Sequence, residues 1–258
     1  MKLLKRIFNQ KIVVQLRNLI GFRSLKFFLP ENKNISISDT FIWRNDNDFK
    51  TIIRFSDILK NFYRVSNTKI EILFYDNNNN KIKELIIERP EPTNEIIINQ
   101  SYFNGFTGVG IFYIFHNIQN EFEFKERVAI SNRCYVGYSK KGQNPSFVHG
   151  NYLAKFKDLD SDHYKNNIIQ KSFIKKKKYQ IQCDFSDFND VELIFTNPIS
   201  SKINFIVNKT RYNLEGGCLK VISLTNYKKP IITILSNLLF FRPIIFTYKD
   251  KFYDVYHS

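Results

Sequence analysis

Lys69-Ile70-Glu71-Ile72-Leu73-Phe74-Tyr75 runs into Asp76-Asn77-Asn78-Asn79-Asn80, and Lys81 to Ile87 follows. In an extended chain Ile70, Ile72 and Phe74 share one face, and Lys69 and Glu71 share the other. Five consecutive Asp and Asn residues suit a turn, because their short polar side chains hydrogen-bond the local backbone. A strand, a polar turn and a return strand predict a β-hairpin.

The same grammar extends outward. Ile35-Ser36-Ile37-Ser38 alternates, as does Glu121-Phe122-Glu123-Phe124-Lys125. Gly105, Gly108 and Gly110 punctuate the approach to an apolar run, Ile111 to Phe115. The chain holds 26 Phe and 14 Tyr, with Ala only at Ala129 and Ala154. Aromatic and β-branched side chains favour pleated surfaces, and scarcity of the best helix former argues against a bundle. Hydrophobic residues make up 43% of 258 residues, enough for a real core.

Several segments recur in order. Thr40–Asn45 resembles Ser146–Asn151, and Phe55–Asp57 resembles Phe185–Asp187. Ile70–Phe74 resembles Val191–Phe195, and Lys81-Ile82 resembles Lys202-Ile203. Ile111–Asn117 resembles Ile231–Asn237, and Tyr135–Ser139 resembles Asp254–Ser258. Collinear matches predict an internal duplication. The expected fold is all-β: two tandem related β-sandwich units preceded by an N-terminal amphipathic helix. The expected divisions are a basic helical leader at 1–34, a first unit at 35–141 and a second at 142–258.

The leader carries Lys2, Lys5, Arg6, Lys11, Arg17, Arg23 and Lys26, and residues 1–30 contain no Asp or Glu. About half of the formal charge of +15 therefore sits there. Leu4, Phe8, Ile12, Leu16 and Leu19 recur at helical spacing, a pattern suited either to an anionic membrane surface or to packing on the body. Lysine is abundant throughout alongside Asn, Ile and Phe, so the total charge alone identifies no partner. Cys134, Cys183 and Cys218 are too sparse for a disulfide framework and point to a reducing, cytoplasmic setting. The leader lacks the apolar run of a signal peptide, so the expected location is cytoplasmic, either free, with the leader packed on the body, or peripheral on the inner membrane face, with the leader on the bilayer.

No phosphate loop, dinucleotide fingerprint, nucleophile elbow or metal-ligand spacing is present, and no cofactor is expected. Lys175–Lys178 is a charge run without any accompanying nucleic-acid-binding motif, so sequence-specific nucleic-acid recognition is not expected. Two functional readings follow. One is a non-catalytic binding protein for a glycan, an anionic surface or a protein partner. Its ligand face would draw on Trp43, Arg44, Tyr135, Tyr138, His149, Asn151, Tyr152, Tyr256 and His257, where rings stack on sugars and polar groups fix orientation. The other is an enzyme, metal-dependent or acid–base and hydrolase-like. Its centre would lie in the second unit around His149, Asn151 and His257, since the first and last strands of a sandwich often lie close.

Overall fold

The computed structural model describes residues 35–118, 129–132, 134–156, 176–199, 201–238 and 241–257, with Ile7, Gln10, Ile12, Val13 and Leu16 of the leader. The leader's seven basic residues lie outside the described residues, as do Glu121–Lys125 and His163. The protein is nearly all β. β1 (Ile35–Arg44) and β2 (Phe49–Phe55) precede a short helix, α1 (Ile58–Tyr63). Then come β3 (Thr68–Tyr75), β4 (Lys81–Glu88), β5 (Asn94–Ile98), β6 (Val109–Ile118), β7 (Ala129–Asn132) and β8 (Tyr135–Lys140). β9 (Ser146–His149), β10 (Asn151–Phe156) and β11 (Lys177–Gln182) follow, with a 3-10 turn at Phe185–Asp187. The chain closes with β12 (Asp190–Thr196), β13 (Ile203–Val207), β14 (Thr210–Leu214), β15 (Leu219–Thr225), β16 (Ile231–Ser236), β17 (Ile244–Lys249) and β18 (Phe252–His257).

The expected hairpin is β3–β4, with Lys69 opposite Glu88 and Ile70 opposite Ile87. Asp76 builds its turn: one carboxylate oxygen accepts the Asn78 amide at 2.9 Å and the Asn80 amide at 2.8 Å. Strict alternation along β3 buries Ile70, Ile72 and Phe74 completely. α1 is capped by Asp57, which accepts the Lys60 amide at 3.0 Å and the Thr68 hydroxyl at 2.5 Å.

The strands form four sheets. Sheet I runs β10-β1-β6-β3-β4, with β7 also on β1; sheet II runs β5-β2-β8-β9. Sheet III runs β15-β12-β17-β18, and sheet IV runs β11-β16-β13-β14. Together they make a four-bladed, propeller-like ring. Each half has an apolar cluster drawn mainly from its own residues, and the larger one extends into the other half. The larger apolar cluster joins Phe49, Val136 and Tyr138 of the first half to Ile194, Phe246 and Val255 of the second. Sheet III faces a second cluster with its other side, through Val191, Leu193, Phe195 and Ile245. Burial on both faces explains why Leu193–Thr196 and Ile244–Thr247 are buried continuously, without alternation.

A repeat is visible in strand order. Counted from β1, sheet I contains the order first-sixth-third-fourth; counted from β11, sheet IV has the same order. Sheets II and III correspond likewise, fifth-second and then the last two strands, once β7 is set aside as an extra strand. This equivalence corrects most of the segment matches. Thr40–Asn45 lies on β1, whose counterpart is β11, not β9. Ile70–Phe74 lies on β3, whose counterpart is β13, not β12. Of the matched pairs, Ile111–Asn117 on β6 and Ile231–Asn237 on β16 occupy equivalent strands. Short apolar-alternating segments resemble one another wherever they occur, so similarity alone aligned neighbouring strands rather than equivalent ones. β9 pairs with β8 inside sheet II, and its outer side lies against β18.

Candidate functional site

Strand pairing determines which expected ligand residues can share a face. In sheet II, Glu95 lies opposite Arg54, Arg54 opposite Tyr135, and Tyr135 opposite His149. Directly opposed residues on antiparallel strands point to the same side. A row of Glu95, Arg54, Tyr135 and His149 therefore crosses the whole sheet, and all four are exposed. Their neighbours β2 and β8 turn Ile53, Phe55, Val136 and Tyr138 the other way, into the core.

The row is internally braced. Arg54 Nε donates to Glu95 Oε2 at 2.7 Å. The Tyr135 and His149 rings lie 4.7 Å apart between centroids, tilted by 48°. One step along the sheet, Phe147 lies opposite Gly137. A Cβ at Gly137 would come within 2.6 Å of the Phe147 ring, so glycine lets that ring lie down across the sheet. The Arg54 guanidinium sits 4.9 Å from the centre of the Phe147 ring. Tyr135 remains 54% exposed, an open aromatic surface beside fixed hydrogen-bonding groups.

His149 continues to the seam between β9 and β18. His257 Nε2 donates to the His149 carbonyl at 2.5 Å. Ser146 Oγ donates to Asp254 Oδ1 at 2.8 Å, and that same oxygen accepts the Val255 amide at 2.8 Å. Burial lowers the pKa of His257, and the neighbouring His149 and Arg242 act in the same direction, while the hydrogen bond to the His149 carbonyl opposes them. The Tyr256 hydroxyl is buried near Cys183, and burial raises its pKa.

The other expected residues are elsewhere. Trp43 is fully buried; its Nε1 donates to the Tyr75 carbonyl at 2.9 Å, and its ring packs 4.7 Å from Phe103. Tyr138 is fully buried, donating to the Ile42 carbonyl at 2.9 Å and packing 4.9 Å from Phe246. Asn151 and Tyr152 open β10, which pairs with β1 in sheet I. Arg44 is buried at the junction of the halves. It donates to Asp46 at 2.6 Å, to Glu192 at 2.5 Å and to the Tyr248 hydroxyl at 2.8 Å. Above it opens a polar cleft of about 540 Å³, lined by Asp48, Lys140, Asp190, Glu192, Ser223 and Tyr248 among others.

Thus Tyr135, His149 and His257 are brought together, while Trp43 and Tyr138 belong to the core. Arg54, Glu95 and Phe147 were not among the expected residues. Arg54 and Glu95 come from two other strands and Phe147 from β9 beside His149, and β2 carries no clean alternation because Ile52 and Ile53 point to opposite faces yet are both buried. Among the described residues no group of three or more His, Cys, Asp or Glu side chains could hold a metal ion. No described helix is long and apolar enough to cross a membrane. No protein-family model matches the chain, and no curated protein matches it.

Proposed function

We propose that this is a non-catalytic carbohydrate-binding protein that holds a glycan across the outer face of sheet II. The observation supporting this is the exposed row Glu95–Arg54–Tyr135–His149, with the Phe147 ring beside it. Sugars present apolar C–H faces flanked by hydroxyls, and Tyr135 and Phe147 offer rings for the former. Arg54, Glu95 and His149 supply donors and acceptors whose positions are fixed by neighbours, which limits the ordering cost of binding. In the same proposal the two halves are copies of one sandwich scaffold, supported by the repeated strand order. An uncharged glycan array on the folded chain tests the reading. Binding to a defined set of oligosaccharides is expected. Tyr135→Ala should weaken it about tenfold, the effect of losing one stacking contact of about 1–1.5 kcal/mol. A blank array overturns the reading.

A hydrolase-like centre at His149, Asn151 and His257 is the rival. What favours it is the approach of β9 to β18, which brings the His257 ring onto the backbone carbonyl of His149. Against it, His257 spends its Nε2 proton on a backbone carbonyl instead of an acidic partner. Turnover of activated glycosides or esters that is lost in His257→Gln would establish the rival.

A further inference from the structure

The turns that close β8–β9 and β17–β18 lie at equivalent places in the two halves, and the fold holds them side by side. Gln143 Nε2 donates to the Lys251 carbonyl. The Tyr253 hydroxyl shares its one proton between the carbonyls of Tyr138, at 2.6 Å, and Asn144, at 3.0 Å. The Tyr253 ring packs edge-on against Phe49 at 5.0 Å. The two turns thus form one rigid tip although more than a hundred residues separate them in the chain.

The tip is basic and carries a bare aromatic ring. Lys141, Lys249 and Lys251 are exposed, while Lys140 sits at their base over the Phe49 ring, in the cleft it shares with Asp48, Asp190 and Glu192, so the outward charge rests on the other three. Lys50 is exposed on the adjoining strand, opposite Ser139. Asp250 is the one carboxylate within the two turns. Phe252, paired across the hairpin with Lys249, is 72% exposed. A rigid blunt tip that costs solvent exposure of a phenylalanine among lysines matches a partner offering phosphate charge and apolar depth in one plane.

We propose that this tip docks on an anionic lipid bilayer, with Phe252 entering the headgroup–acyl boundary and the lysines meeting lipid phosphates. An aromatic ring provides interfacial anchoring, and the lysine stems extend along the surface while their ammonium groups stay hydrated. The surface differs from the basic leader, and it does not depend on glycan binding at sheet II. The two are compatible: Lys140 and Tyr135 end the same strand, roughly 17 Å apart at the usual rise per residue. A docked molecule would therefore hold the Tyr135 row clear of the membrane.

Co-sedimentation of the full chain with vesicles of phosphatidylcholine containing 30% phosphatidylglycerol, against phosphatidylcholine alone, tests the proposal. Binding to the anionic vesicles is expected, and it should weaken as salt rises. Each of Lys141→Glu, Lys249→Glu and Lys251→Glu should weaken it at least about fivefold, and Phe252→Ser should weaken it by a similar factor. These residues are exposed, so unchanged far-UV circular dichroism checks that the variants fold. If the combined variant sediments like the parent, or if deletion of residues 1–30 alone abolishes binding, the proposal is overturned. It is equally overturned if the parent ignores vesicles but binds single-stranded DNA through the same lysines. Loss of vesicle binding with an unchanged glycan array leaves the sheet II reading standing, so the two fail separately.

Discussion

Arg44 shows how one side chain can fix a junction. Its guanidinium is 3% exposed, between Asp46 on one side and Glu192 on the other. Its carbon lies 4.6 Å from the centre of the Phe49 ring and 5.0 Å from that of Phe246. Burial opposes the charge, but hydrogen bonds and attraction from Glu192, Tyr248 and Asp46 outweigh it and raise the pKa further. Removing one member of a buried pair leaves the other charge uncompensated, which typically costs about 3–5 kcal/mol. Arg44→Met should therefore lower stability by about 3 kcal/mol, read as a shift in the urea midpoint at constant slope. A change below about 0.5 kcal/mol would show that the pair contributes only what an exposed ion pair does.

At the scale of elements, the seam between β9 and β18 is held by side chains instead of a strand ladder. Ser146, Asp254, His149 and His257 join the two outer strands. Desolvation holds the His257 pKa below its ordinary value of 6.5. The unfolded chain then binds the proton more readily than the folded one. The seam contributes its full stability above pH 6.5 and loses it as pH falls through that value towards the depressed folded pKa. The expected result is an acid-side fall in stability that is shallower in His257→Gln, measured by urea titrations between pH 7.5 and roughly 5. Parallel pH profiles for the two proteins would refute the assignment. The elements also show which signals the sequence carried. β3 was readable because one face meets the core and the other meets water. β12 and β17 were not readable as alternating strands, because sheet III is covered on both sides and both of its faces select apolar residues.

At the scale of the whole molecule, the larger core crosses between the halves. Phe49 and Tyr138 pack on Phe246, while Ile194 and Val255 join the same cluster. Separating the halves would expose much of that surface at about 25 cal/mol per Å² of apolar area. Both halves should therefore unfold together. The single tryptophan, Trp43, is buried in the first half, so its fluorescence should follow the same denaturation curve as far-UV circular dichroism of the entire chain. Two resolved transitions would mean that the shared core does not couple the halves.

Local sequence carries the class: short strands, polar turns and an interior of rings and branched aliphatics, because alternation and turn chemistry act over a few neighbouring residues. It also carried a trace of repetition, and it singled out Tyr135 and His149. The folded chain is what makes particular strands equivalent, puts Trp43 and Tyr138 in the core, sets Arg54 and Glu95 beside Tyr135, and gathers Lys141, Lys249, Lys251 and Phe252 at one tip. Those outcomes depend on pairings between distant strands, and a side chain's own neighbours in the chain contain no record of which strand will lie opposite it.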